Sequence, residues 1–299
     1  MLGLYRIPGQ FSEESTAKKP AVLFMPGQDA DMFEYVMNTP DKNPAMVTSR
    51  AGYDVWMGNN RGTRYSMGHK TLDTKSKAFW DYYQEDLARE DLPALIDFIL
   101  GKTGLESISY VGHSMGTNQL FLGGALLPEY FTPKINVAVM LGPVGSTANI
   151  PTVGIRLAAK NWKKLQFLAN DVLHKYNWSG PMTVGSEALD TFCKLSFGLC
   201  ESLTKELFHH KGVDNAELLD RAAAHVPSGA GLRTFVYWAQ QIESGRFALY
   251  DYGKKGNKKK YGSEVNPLVP MENYAIPTGL FSGTFDHLAD SVDVKNLGN

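Results

Sequence analysis

The sequence predicts an α/β protein: a mostly parallel sheet flanked by helices, with a helical cap inserted between two of its strands. Three observations predict it. Short apolar, β-like runs alternate with stretches of helical spacing through roughly the first 145 residues, the pattern of a parallel sheet covered on both faces. A glycine-flanked serine, Gly112-His113-Ser114-Met115-Gly116, stands between a β-like run and a helix-like one. From about Gly145 to Asn266 strands are hard to find and helical spacing dominates, before a β-like run returns at Ile276. These divisions predict core at 1–145, cap or lid at 146–266 and core again at 267–299.

Composition narrows the function classes. The 299 residues are 43% hydrophobic and 20% charged, an ordinary globular balance. A net charge of −1 gives no global attraction for nucleic acid. No apolar run has the length of a membrane span, so no transmembrane segment is expected. Met1 to Pro8 lacks a basic n-region and a long apolar stretch, and does not read as a signal peptide. Cys193 and Cys200 either close one small disulfide loop or remain free. The sequon Asn177-Trp178-Ser179 matters only in a secreted chain. Rossmann, P-loop, zinc and Cys-x-x-Cys signatures are lacking, so neither cofactor nor metal is expected.

The elements follow in order. Ala21–Met25 reads as a buried strand running into the turn-rich Pro26-Gly27-Gln28-Asp29-Ala30-Asp31. Tyr53–Met57 is the next strand, followed by the polar segment Gly58–Arg64. Arg61 is expected to hold neighbouring loops through buried hydrogen bonds, with lining of an active-site mouth as the alternative. His69 is expected to be structural. Asp91-Leu92-Pro93 reads as an N-cap and first turn. Leu95, Ile96, Phe98, Ile99 and Leu100 supply the apolar face, and Gly101 the stop. Asp86 and Asp91 are read as helix-terminal charges.

Ile108–Val111, the pentapeptide and Asn118–Leu122 then give strand, sharp turn and helix: the nucleophile elbow of an α/β-hydrolase. The elbow holds a serine hydroxyl clear of the sheet. Glycines at 112 and 116 remove Cβ atoms where helix and strand pass closely. The helix start aims amides at a developing oxyanion. The competing reading is a glycine-rich turn with an incidental serine. In this architecture the loop after the early strand also supplies an oxyanion amide, which makes Gln28 the candidate; a plain β-turn is the alternative.

Ile135–Leu141 is a further strand, ended by Gly142-Pro143. In the cap, helical spacing is clearest at 155–173 and 189–208, with Trp162, Trp178, Phe192 and Phe197 prominent. It is read as a lid over an apolar pocket that contacts a lipid interface, or as a plain cap with an apolar underside. Lys254, Lys255, Lys258, Lys259 and Lys260 are expected to form a solvated basic loop, with an anionic lipid surface as the alternative. Ile276–Ser282 resumes the sheet and ends at Gly283-Thr284-Phe285-Asp286. A carboxylate at the end of a late strand is where such hydrolases keep the acid of a Ser, Asp, His series. Asp286 is the candidate, Asp290 the fallback and Asp293 a third choice.

Several stretches together resemble the acid lipases, the family of gastric and lysosomal lipases. They are Gly52–Gly62, Asp91–Phe98, Tyr110–Ser114, Ser244–Gly253 and Phe285–Asp290. The resemblance covers nearly the whole chain and is weakest at roughly 150–220. It implies hydrolysis of carboxylic esters of neutral lipids, such as triacylglycerols or cholesteryl esters, without metal or organic cofactor. It also implies a secreted or lysosomal location. Carried onto matching positions, Ser114 is the nucleophile, Asp286 orients the histidine, and the amides of Met115 and Gln28 form the oxyanion hole. Three departures stand out. Pro26-Gly27-Gln28 replaces the family's His-Gly-Leu, and Met115 replaces a frequent glutamine; backbone amides survive both exchanges. The family's catalytic histidine lies a few tens of residues beyond the acid, whereas position 299 is 13 residues beyond Asp286 (299 − 286) and none of the seven histidines fits that place. His113 is expected to point into the core, His287 to sit too close to the acid, and His174, His209, His210 and His225 to lie in the cap. The expectation is a chain cut short at both ends. The alternatives are a catalytically dead member that binds lipid or protein, and a non-lipid serine esterase.

Overall fold

The structure, a computed structural model, describes residues 1–9, 18–179, 221 and 225–298. Its strands are β1 Leu4–Ile7, β2 Ala21–Met25, β3 Asp54–Gly58, β4 Ile108–His113, β5 Ile135–Leu141, β6 Asn177–Ser179, β7 Ala230–Gly231 and β8 Thr278–Phe281. Six of them form one sheet in the order β1-β3-β2-β4-β5-β8, while β6 and β7 pair separately. All neighbours in the large sheet are parallel except β1, which runs antiparallel to β3. The five predicted core strands are all present, with boundaries shifted by at most two residues at either end.

β2 explains why the sheet is doubly covered. All five of its residues are buried. Leu23 and Met25 join a cluster with Ile96, Ile99, Tyr110, Leu120 and Phe131 on one face. Val22 and Phe24 join Tyr35, Val55 and Met57 on the other. Side chains alternate across a strand, so a continuous apolar run is what a two-sided environment selects. Each such burial contributes about 1.5–3 kcal/mol.

In the sheet and its flanking helices, three elements differ from the sequence reading. The edge strand β1 was not anticipated; Arg6 fastens it by a two-pronged bond to Asp54 at 2.8 and 2.9 Å and stacks over Trp56 at 4.7 Å. A helix at Pro44–Arg50 supplies the crossover between the parallel β2 and β3 that the predicted strand-to-strand step lacked. Its start was readable, since Asn43 accepts from the Met46 amide at 3.1 Å and Pro44 opens the first turn. The predicted N-cap at Asp91 is corrected: its backbone is already helical, and a wide turn at Leu87–Asp91 runs directly into the Leu92–Thr103 helix. The wide turn accommodates Pro93, which has no N–H to give. That helix ends at Gly104, with φ 64°, and not at Gly101.

In the segment predicted as a cap, Val153–Lys160 and Trp162–Phe167 are helices followed by a wide turn at Leu168–Val172, as the spacing predicts. The expected helix at 189–208, with Phe192, Phe197, Cys193, Cys200 and the cap histidines His209 and His210 nearby, lies outside the described residues. The helix Leu232–Ser244 returns the chain to the core. The predicted basic loop is a helix, Gly253–Tyr261, because Asn257 is buried beneath it and bonds to Asp251 and to the Glu264 carbonyl. Among the described residues, no helix is long and apolar enough to cross a membrane.

Candidate active site

The site is built at the carboxyl ends of β2, β4, β5 and β8. Ser114 directly follows β4 with φ 49° and ψ −114°, a conformation that costs a non-glycine residue of order 1–3 kcal/mol. The surroundings impose it. The Ser114 amide donates to the Leu141 carbonyl at 2.9 Å, and the Ser114 carbonyl accepts from the Thr117 amide at 2.9 Å and the Thr117 hydroxyl at 2.6 Å. Thr117 also accepts from the Val144 amide at 2.9 Å, tying the elbow to the loop after β5. The glycines are required by contact. A Cβ on Gly112 would lie 2.8 Å from the backbone of Gly116, and one on Gly116 only 2.3 Å from the Met25 carbonyl oxygen. The elbow helix Met115–Leu126 begins at once, so the Met115 amide is among the first-turn donors with no intrahelical acceptor. The Met115 side chain is buried against Phe79, Trp80, Tyr82 and Leu87.

The loop after β2 closes on this elbow. A Cβ on Gly27 would lie 3.3 Å from the Ser114 Cβ and 3.1 Å from His113 Nδ1. Gln28 is held by its side chain, which donates to Thr234 Oγ1 and accepts from Trp238 Nε1, both at 3.0 Å. Asp29, at φ 61°, accepts from the amides of Ser228 and Gly229 at 2.7 and 2.8 Å. Residues 228–238 therefore fix the loop that carries Gln28.

Asp286 lies in the loop after β8. One of its carboxylate oxygens accepts from the amides of Leu288 and Ala289 at 2.9 and 2.8 Å. A Cβ on Gly142, at the end of β5, would lie 3.4 Å from the other oxygen and 4.0 Å from His113 Cδ2. Asp286 thus faces the serine-bearing corner of the sheet. The two reserves are occupied elsewhere. Asp290 caps the Ser291–Gly298 helix through the Val292 amide at 2.8 Å. Asp293 is buried and accepts from Ser146 and Asn149.

The histidines are distributed as follows. His69 accepts from the amides of Thr71 and Leu72 and is structural, as expected. His225 stacks on Phe33 at 3.4 Å. His113 corrects the sequence reading: it does not enter the core, its side chain is 48% exposed, and its Nδ1 lies 3.2 Å from Glu34 Oε2. Burial works against its charged form, but Glu34 outweighs this by charge and hydrogen bond, aided by Asp286, and the His113 pKa is raised. Glu34, in the short 3-10 helix Met32–Tyr35, also accepts from the Gly27 amide at 3.4 Å, a role that its local sequence does not announce. Arg61 behaves as expected. Its backbone and guanidinium donate to Asp91 and Glu90, and Asp91 is only 2% exposed. Desolvation raises the Asp91 pKa even with Arg61 beside it. Among the described residues, no His/Cys/Asp/Glu group is arranged to hold a metal ion.

A serine on a strained strand–helix elbow, over a mostly parallel sheet that carries a late-strand carboxylate, defines an α/β-hydrolase. The family model described as the alpha/beta hydrolase fold matches residues 20–297. Human lipase member K is 33% identical over 99% of this chain and 74% of its own length, and so is human lysosomal acid lipase/cholesteryl ester hydrolase. Rat gastric triacylglycerol lipase is 32% identical over 99% of this chain and 75% of its own. The epoxide hydrolase of Bacillus megaterium superposes with a TM-score of 0.53 at 15% identity, covering 98% of this chain and 83% of that one. The chain belongs to the acid lipases of the alpha/beta hydrolase fold, a family of serine ester hydrolases.

Proposed function

We propose that this chain hydrolyses acyl esters of neutral lipids, triacylglycerols or cholesteryl esters, through an acyl-enzyme on Ser114. The observation that carries the reading is the strained Ser114 elbow with the Gly27–Gln28 loop packed against it. In the proposed reaction a histidine base, oriented by Asp286, takes the Ser114 proton. Ser114 attacks the ester carbonyl, and the amides of Met115 and Gln28 hold the oxyanion. The alcohol leaves with the proton from the base, and water then releases the fatty acid. No metal or organic cofactor has a part in it. The segment 146–266 is the lid, and its outer face meets the lipid interface. Relatives named as lysosomal and gastric lipases support a secreted or lysosomal location.

The test is hydrolysis of p-nitrophenyl acetate and palmitate by the chain and by Ser114→Ala. Serine-dependent turnover with preference for palmitate is expected, and loss of a triad member lowers turnover on the order of 10⁶-fold. One observation favours a second reading, a non-catalytic lipid-binding member: His69 bonds the Thr71 and Leu72 amides, His113 pairs with Glu34, and His225 stacks on Phe33. Identical rates for the two folded proteins would refute the first reading and leave a non-catalytic member.

A further inference from the structure

We propose that the chain docks on anionic phospholipid bilayers through the lysine helix Gly253–Tyr261 together with the helical run Val153–Val172. The choice of partner rests on the lipid-ester reading above. All five lysines of the helix are exposed. Lys254, Lys255, Lys258, Lys259 and Glu264 line one shallow surface groove, in which Glu264 lies 3.8 Å from Lys254. Intrinsic preference does not produce this helix. Lys254 and Lys255 stand in the first turn, where positive charge opposes the helix dipole. Lys254 and Lys258, like Lys255 and Lys259, are like-charged neighbours one turn apart. The backbone is held from beneath instead. One oxygen of Asp251 accepts from the Gly253 amide and Asn257 Nδ2, both at 2.7 Å. Asn257 accepts from the Tyr252 amide at 2.9 Å, and the Tyr261 hydroxyl donates to the Tyr250 carbonyl at 3.0 Å. Anchoring of this kind presents a concentrated cationic face on a chain whose net charge is only −1.

The second segment supplies what electrostatics lacks. Along 153–173, Leu157, Phe167 and Leu173 are 56%, 61% and 57% exposed. Between and beside them Lys160, Lys163 and Lys164 are exposed too. Exposed apolar and basic side chains on one helical run are the pattern of an interfacial helix. Both segments border one buried cluster: Trp162 and Ala169 from the run, Tyr261 from the lysine helix and Tyr252 just before it pack against the cluster that includes Tyr237 and Tyr250. Apolar side chains next to the cations favour a bilayer over a nucleic acid. They gain by entering the acyl boundary and gain nothing from a phosphodiester backbone.

Co-sedimentation of the full chain with vesicles tests this. Vesicles of phosphatidylcholine with about 30% phosphatidylserine are expected to bind it and pure phosphatidylcholine vesicles far less, with binding weakening as salt rises. Lys258→Gln/Lys259→Gln is expected to lower affinity roughly thirtyfold, about fivefold per lysine. Leu157→Gln/Phe167→Gln is expected to weaken binding with an unchanged salt dependence. Circular dichroism verifies that both exposed double variants remain folded. Equal binding to the two vesicles, or unchanged affinity of the lysine variant, overturns the proposal. Displacement by millimolar inorganic phosphate overturns it in favour of a small-anion site. Equal competition by an oligonucleotide overturns it in favour of a general polyanion surface. Binding without ester hydrolysis leaves this inference standing and refutes the catalytic reading; hydrolysis of soluble esters without binding does the reverse.

Discussion

Gly116→Ala tests the close approach on which the elbow depends. The added Cβ would lie 2.3 Å from the Met25 carbonyl oxygen, 3.0 Å from its carbon and 3.1 Å from the Pro26 oxygen. Ordinary contact requires the helix and β2 to part by roughly 1 Å. Nothing there is a flexible side chain tip. The Met25 carbonyl also accepts from Tyr35 at 2.7 Å, and the Gly116 carbonyl from Tyr110 at 2.6 Å, so both backbones are pinned from the far side. Overpacking costs about 1–3 kcal/mol, and pinned backbones put this case near 3. Alanine returns about 1 kcal/mol of helix propensity, which leaves a net loss of about 2 kcal/mol. The displacement also reaches Gly27 and Gln28, two and three residues beyond Met25, so kcat/KM in the soluble-ester assay should fall about 10²-fold. Urea unfolding of the variant beside the wild type measures the first effect. A variant as stable as the wild type, or more stable, would refute the argument from contact.

Three further outcomes follow from the same coordinates. Gly101→Ala, at an exposed helical position with nothing within 4 Å of the new Cβ, should stabilise by about 0.5–1 kcal/mol in the same urea titration; the identical substitution thus changes sign between the two sites. Asp91→Ala leaves the half-buried Arg61 without its main acceptor and should cost about 2–4 kcal/mol, read as a lowered thermal midpoint. His113, whose pKa is raised in the folded state, gives stability that is fully present below its unfolded value of about 6.5 and fades as pH rises through the folded value. Glu34→Gln should move the His113 NMR titration to lower pH, and an unmoved titration would exclude Glu34 as the cause.

Much of this site was legible in the sequence because its parts obey local rules. A parallel strand buried on both sides must be apolar throughout, as Ala21–Met25 is. A strand that turns sharply into a helix needs small residues at the contact, and Gly112 and Gly116 answer that need. Asp286 is a candidate for the acid because it stands just after a late strand. What escaped depends on partners distant in the chain. Glu34 is meaningful only because the fold sets it beside Gly27 and His113, seven and 79 positions away. The lysine segment read as a loop because its own residues disfavour a helix, and the buried Asn257 that holds it is unremarkable in sequence. β1 is only four residues long and has no buried residue, too short a run to read as a strand, and Asp54 captures it through Arg6.

The grip of the Leu232–Ser244 helix on Gln28 also has a place in time. Thr234 and Trp238 lie 206 and 210 positions after the residue they hold. A ribosome adding about 5–20 residues per second takes some 10–40 s to cover that distance. Throughout that interval the loop after β2 has left the ribosome without the partners that set its shape. The shape of the Gln28 loop beside Ser114 is thereby set only after the Leu232–Ser244 helix has been made.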